Sequence, residues 1–422
     1  MKFHGRRRQI ASVLFAGVLV AGLAACGSDD DGGGGGGSST AADQSALGTA
    51  NKATGTPVTF GFISEGAGQT INTTDEIKGA QAAAAYANDY LGGLGGHPIE
   101  VKVCETLGVP ATATDCANQM VAAKVSAVLG GSIGVLDSVI SVLAPAKIPL
   151  IMQTAPTQAG LTTPGVFSLF NSLSLFGGPA EWAKEEGLKK VDQVVIAVPA
   201  AQGAAKVGET LFTNAGLEVN TTAVPPGTAD MSPQIASAAE ADPDLYHIAG
   251  STDFCTSAIK AIKTVSPQAK VVIIERCISP QSSSAIPGGY DGVKVSASAD
   301  LNPDLESVKL FTAVLDKYGD GTKVSSMSNY GYSPMLGAIN ALNAAKIADV
   351  TPAGVMAAIK SAPPTELPNS NGIMFQCNGK QIAFSPNTCS ADGILATADK
   401  DGNLSDFQRI PADPALYKLP GS

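Results

Sequence analysis

From Val58 onward the chain alternates short apolar runs with amphipathic segments, and this alternation limits the available folds more than any other feature. "VTFGFIS" (58–64) is short and continuously apolar, as a strand buried on both faces is, and "TDEIKGAQAAAAYANDY" after it reads as a helix capped by Thr74 or Asp75. The cycle repeats with the strand "IEVKVCE", the helix "TATDCANQMVAAK", and the strands "SAVLGG" and "PLIMQTA" around the helix "VLDSVISVLAPAK". Strand, helix and strand at this spacing predict a parallel sheet covered on both faces. The pattern then restarts: "VDQVVIAVPA", "LEVNTTAV", "DLYHIAGS", "AKVVIIERC" and "DGVKVSAS" read as strands, with helices between them. The expected fold is α/β, with two doubly wound parallel-sheet lobes. Three further helices, including "YSPMLGAINALNAAKI", could serve either lobe, and the tail from Ile373 reads as short strands and hairpins.

The segment before Val58 is of another kind. Lys2, Arg6, Arg7 and Arg8 precede an apolar run, Ile10 to Ala25, that suits a secretory leader better than a membrane span. The run ends Leu23-Ala24-Ala25-Cys26, which resembles the lipobox at which bacterial signal peptides are cut to leave a lipidated cysteine. The expectation is therefore a leader over 1–25, a lipid anchor on Cys26 and a Gly/Ser-rich tether over 26–55. The chain carries 27 Lys and Arg against 37 Asp and Glu, and the leader accounts for four of the bases and no acid. So acidic a body has no footprint for nucleic acid or anionic lipid.

Cys104, Cys116, Cys255, Cys277, Cys377 and Cys389 remain, an even set in an exported chain. Their order in the chain leaves fifteen pairings open. The expectation is three local bridges, 104 to 116, 255 to 277 and 377 to 389, and the spacing does not fit a zinc finger.

The inventory of reactive groups argues for binding over catalysis. His97 follows a glycine turn and His247 sits in an apolar strand, where a structural role is favoured over that of a base. There is no Gly-x-Ser-x-Gly elbow, and "LGGSIG" (129–134) lacks the lysine of a phosphate loop. That turn still offers backbone N–H groups at a helix start as a nest for an anion. In wound sheets ligands lie beyond the carboxyl ends of the strands. On one sheet those ends carry Ser64 and Glu65, Ser132 and Gly134, then Gln153, Ala155 and Thr157. On the other they carry Gln202, Ser251, Asp253 and Glu275, and Tyr330 could line the cleft or cover the core. Such hydroxyls, amides and acids hold a small polar molecule more readily than they transform one. Ser64, Glu65 and Asp253 serve equally well as helix caps, Arg276 as a surface partner of Glu275, and Trp182 as packing.

The lipobox, the tether, "VTFGFISEGAGQT", "AAAAYANDYLGGLGGHPIEVKVCE" and "AVLGGSIGVLDSVISVLAPAKIPLIMQTAPTQAGLT" together resemble the leucine/isoleucine/valine-binding protein family. These are type 1 periplasmic-binding-like solute receptors of ABC importers. The resemblance implies two lobes, 56–173 with 302–364 and 174–301 with 365–422, joined by a three-strand hinge. It implies a carboxylate grip by Ser132 to Gly134 and by Ala155 with Thr157. The chain departs from the family in having Gly134 where a serine hydroxyl is expected, and Gln202 with Gly203 where an aromatic ring covers the ligand. Ser251 stands where a tyrosine is expected, and Asp253 or Glu275 would meet an ammonium. The implied function is capture of an amino acid, amide or short carboxylic acid by a lipid-anchored, extracytoplasmic monomer that passes it to an ABC permease. No cofactor, metal or enzymatic step is implied, and a ligand sensor of the same fold is the alternative.

Overall fold

The computed structural model describes residues 44–68 and 72–418. The expected leader, the anchor Cys26 and the tether as far as residue 43 lie outside the described residues.

The first sheet comprises β1 (Val58–Ser64), β2 (Ile99–Glu105), β3 (Ala127–Gly130), β4 (Leu150–Met152) and β5 (Val166–Ser168), in the order β2-β1-β3-β4-β5. All its pairings are parallel. The helices α1 (Thr74–Tyr90), α2 (Pro110–Ala122), α3 (Leu136–Leu143) and α4 (Gln158–Thr162) connect these strands. The continuous apolar character of β1 has a direct cause. Phe60 and Phe62 pack into the core that holds the alanines of α1, while Ile63 packs on the opposite face with residues of α2 and α3. The residue capping α1 is Thr73, one before the expected Thr74 or Asp75, and its hydroxyl pairs with Ser64 Oγ at 2.6 Å and accepts the Gly66 N–H at 2.7 Å.

The second sheet starts with β6 (Lys190–Ile196), β7 (Glu218–Val224), β8 (Leu245–Ala249), β9 (Lys270–Ile274) and β10 (Lys294–Ala297). Around it run α5 (Ser174–Glu185), α6 (Pro199–Asn214), α7 (Ser232–Ala239), α8 (Thr252–Val265) and α9 (Pro280–Ala285). Strand β6 ends earlier than "VDQVVIAVPA" suggests, because Pro199 opens α6, where its missing N–H costs nothing.

Next come α10 (Glu306–Tyr318), α11 (Ser326–Ala344) and α12 (Pro352–Ser361). Helix α11 begins six residues before Tyr332, the first residue of the run read as helical, because Ser325 and Ser328 form a reciprocal capping box. Helices α1 and α11 meet at glycines: a Cβ on Gly79 would lie 2.1 Å from the Ser328 carbonyl oxygen, and one on Gly331 1.8 Å from that of Glu76.

The tail divides. A two-stranded piece, β11 (Thr365–Glu366) with β12 (Met374–Phe375), leads to the loop closed by Cys377 and Cys389. That loop is stitched to the first sheet: Ser168 N–H donates to Asn387 O at 2.9 Å and Cys389 N–H to Ser168 O at 2.8 Å. The sequence reading assigns all of 365–422 to the second lobe; hydrogen bonding to β5 puts this portion beside the first sheet instead. Only β13 (Gly393–Ala398) and β14 (Leu404–Ile410) join the second sheet, as an antiparallel hairpin on β10, giving the order β14-β13-β10-β9-β8-β6-β7.

The three expected local disulfides are all formed. His247 lies inside β8 between the rings of Phe176 and Phe212, and its Nε2–H donates to the Leu175 carbonyl at 2.8 Å. Burial pulls its pKa down to about 4, so it is a neutral core residue. Trp182 and Tyr332 are likewise packed into cores.

Candidate functional site

The turn after β3 is the nest that the glycines suggest, but the protein fills it itself. Ser132 N–H donates to Glu76 Oε2 at 2.7 Å, Ser132 Oγ to Glu76 Oε1 at 2.5 Å, and Gly134 N–H to Glu65 Oε1 at 2.7 Å. Ser64 Oγ adds a further bond to Glu76 Oε2 at 2.7 Å. Burial raises the pKa of Glu76, and these donors pull it back. The glycines follow from this arrangement. A Cβ at Gly131 would stand 2.2 Å from Glu76 Oε2, and one at Gly134 2.6 Å from Glu65 Oε1. A serine at 134 would therefore require the Glu65 carboxylate to move from this position. Glu76 escaped the sequence reading; the available signal was an acid in the first turn of a helix, where it complements the helix dipole.

The loop after β4 is also internally committed. Ala155 N–H donates to Ser172 Oγ at 2.8 Å and to Ser168 Oγ at 3.2 Å. Thr157 caps α4 by accepting the Gly160 N–H, and its hydroxyl donates to Asp137 Oδ1 at 2.6 Å. Thr154, which the sequence reading passed over, shares a 2.5 Å hydrogen bond with the Tyr330 hydroxyl. Burial pushes the pKa of that phenol up to about 12; the Thr154 bond opposes this, the carboxylates of Glu76 and Glu275 reinforce it, and the charge of Arg276 lowers it. These charged groups belong to α1 and to the turn after β9.

Gln153 is fully buried at the end of β4. Its Nε2 donates to the Ser298 carbonyl at 3.2 Å, while its Oε1 has no hydrogen-bond partner. Ser298 Oγ in turn donates to Glu275 Oε2 at 2.9 Å. Burial drives the pKa of Glu275 up to about 7, against the pull of that bond. Gln202 and Asp253 sit exposed on the first turns of α6 and α8, and Ser251 caps α8 by accepting the Phe254 N–H. A cavity of ≈ 280 Å³ bordered by Trp182, Lys263, Lys270 and Lys294 lies elsewhere, at the amino ends of β9 and β10.

A family model described as periplasmic binding protein matches residues 57–388. A Leu/Ile/Val-binding protein homolog of Brucella melitensis is 27% identical over 201 residues, 46% of this chain, and the match spans 54% of that relative, about half its length. Among solved structures, a fatty acid ABC transporter substrate-binding protein from Thermomonospora curvata superposes with a TM-score of 0.67 at 16% identity, over 87% of this chain and 96% of that one. A solute-binding protein from R. palustris in complex with 4-hydroxybenzoate gives 0.66 at 19% identity, over 85% and 98%. A branched-chain amino acid transporter substrate-binding protein from Streptococcus pneumoniae in complex with isoleucine gives 0.63 at 18%, over 84% and 99%. At these identities the likeness is one of fold, two wound lobes of the type 1 kind.

Proposed function

Because the chain belongs to the periplasmic binding protein family, we propose that it is the solute receptor of an ABC importer, taking a small polar molecule between its two lobes. Its place is extracytoplasmic. The lobes are 56–173 with 302–364, and 174–301 with the end of the chain, the disulfide loop 376–389 siding with the first. Cys26 would carry the lipid anchor, and the closed form would be what the permease recognises.

The observation that carries this reading is the chain Gln153–Ser298–Glu275. It joins the carboxyl end of a first-sheet strand to that of a second-sheet strand through one residue of the segment that connects the lobes. Hydrogen-bonding groups of both lobes thus converge on one place, and a ligand contacting both stabilises the closed arrangement by its differential contacts.

Thermal unfolding of the mature chain against amino acids, amides, hydroxy acids, amines and sugars tests the reading. A ligand at a hundred times its dissociation constant adds roughly 2.7 kcal/mol, which moves the midpoint by a few degrees. One chemical class is expected to do so, and a flat response to every class would contradict the reading. Cys26→Ala is expected to move the protein from the membrane fraction to the medium.

A further inference from the structure

The chemistry of the first lobe narrows the ligand, granted the reading that the ligand lies between the carboxyl ends of the two sheets. At Ser132 and Gly134 the backbone N–H groups already donate to carboxylates of the protein itself. The Ala155 N–H is taken by two serine hydroxyls, and the Thr157 hydroxyl by Asp137. The Ser132, Gly134 and Ala155 N–H groups and the Thr157 hydroxyl, four of the groups that would grip a carboxylate, are therefore engaged within the protein. At the Ser132–Gly134 turn the partners are the acids Glu76 and Glu65, so a carboxylate entering there would have to displace a bound like charge.

Gln153 supplies a second, independent observation. The Ser298 carbonyl can only accept, so the amide nitrogen of Gln153 must face it, and this fixes Oε1 as the atom left buried without a partner. A buried acceptor without a donor is costly, and a ligand that brings a donor removes the cost.

We propose that the ligand meets the first lobe with a hydrogen-bond donor, an ammonium, an amide N–H or a hydroxyl, received by Gln153 Oε1 and Glu65, and that Glu65 and Glu76 exclude carboxylates from the Ser132–Gly134 turn. Glu65 and Glu76 thereby become specificity-determining residues, and Gly131 and Gly134 the residues that make room for them.

The test is a titration of the intact, isotope-labelled mature protein, following the backbone amide signals of Ser132 and Gly134. Acetate and leucine are expected to leave both signals in place, and leucinamide is expected to bind about tenfold or more tightly than leucine. In Glu65→Ala, which vacates the Gly134 N–H, acetate is expected to move the Gly134 signal saturably; Glu65→Val, which also brings no acceptor, provides a second variant should the first fold poorly. Saturable movement of both signals by acetate or leucine in the unaltered protein overturns the inference while leaving the receptor reading intact. A flat unfolding midpoint across the whole ligand panel counts instead against the receptor reading.

Discussion

Glu76 holds Ser132 from two sides, its Oε2 accepting the backbone N–H at 2.7 Å and its Oε1 the side-chain hydroxyl at 2.5 Å. This one fully buried carboxylate ties α1 to the turn after β3, and through Ser64 to the end of β1. Glu76→Ala would take the acceptor from the part-buried Ser132 N–H and Ser132 hydroxyl and from the buried Ser64 hydroxyl, which keeps its bond to Thr73, at about 1–3 kcal/mol for each buried group left unsatisfied. The expected outcome is a loss of about 3 kcal/mol or more in urea unfolding, with Glu76→Gln, which keeps one acceptor, losing less. Equal stability of Glu76→Ala and the parent would contradict this account of the turn.

The contact of α1 with α11 depends on Gly331. A Cβ there would collide with the Glu76 carbonyl oxygen, a backbone atom that cannot swing aside. Gly331→Ala is expected to force the helices apart and cost about 3 kcal/mol, the upper end of overpacking penalties. Thermal unfolding checks the loss, and an unchanged midpoint would show that the helices do not pack this closely.

Glu275 makes stability depend on pH in a defined direction. Its pKa in the folded protein, about 7, stands above the ordinary 4.5, so folding favours its neutral form. That contribution is fully present below the ordinary value and is lost as pH rises through 7. Unfolding measured between pH 5 and 8 is expected to show stability falling with pH in the parent and a shallower fall in Glu275→Gln. Identical slopes would contradict the assignment.

The Cys377–Cys389 bridge closes the loop that pairs with β5, over a sequence separation of 12. By loop-closure entropy it stabilises the chain by about 3 kcal/mol. Replacing both cysteines with serine is expected to lower the midpoint, and hydrogen exchange should rise first at the backbone N–H of position 389, which in the parent bonds to Ser168 O. Unaltered protection there would mean that the stitching is independent of the bridge.

What could be read from the sequence was what is local. The bounds of α1 (Thr74–Tyr90) and β2 (Ile99–Glu105) coincide with segments marked by their apolar pattern, and the disulfides follow the shortest loops. The site was legible as a set of strand ends and no further. Whether Ser132 and Thr157 face a ligand or a neighbour depends on Glu76 and Asp137, which lie 56 and 20 residues away and are brought there by the sheet. Thr154 and Ser298 were missed for the same reason, since each gains its role from a partner over a hundred residues distant, 176 for Thr154 to Tyr330 and 145 for Ser298 to Gln153. The tail loop was placed with the wrong sheet because its tie to β5 is made by backbone atoms, on which sequence leaves no mark.

The central claim is that two lobes close on a solute, and the distance between the lobes tests it most directly. Spin labels on Gln119→Cys in α2 and Glu209→Cys in α6, both exposed positions, report that distance while Cys104, Cys116, Cys255, Cys277, Cys377 and Cys389 stay paired in their disulfides. With the compound that raises the unfolding midpoint most, the account predicts a single shorter and narrower distance distribution. A bound compound that leaves the distribution unchanged would contradict it.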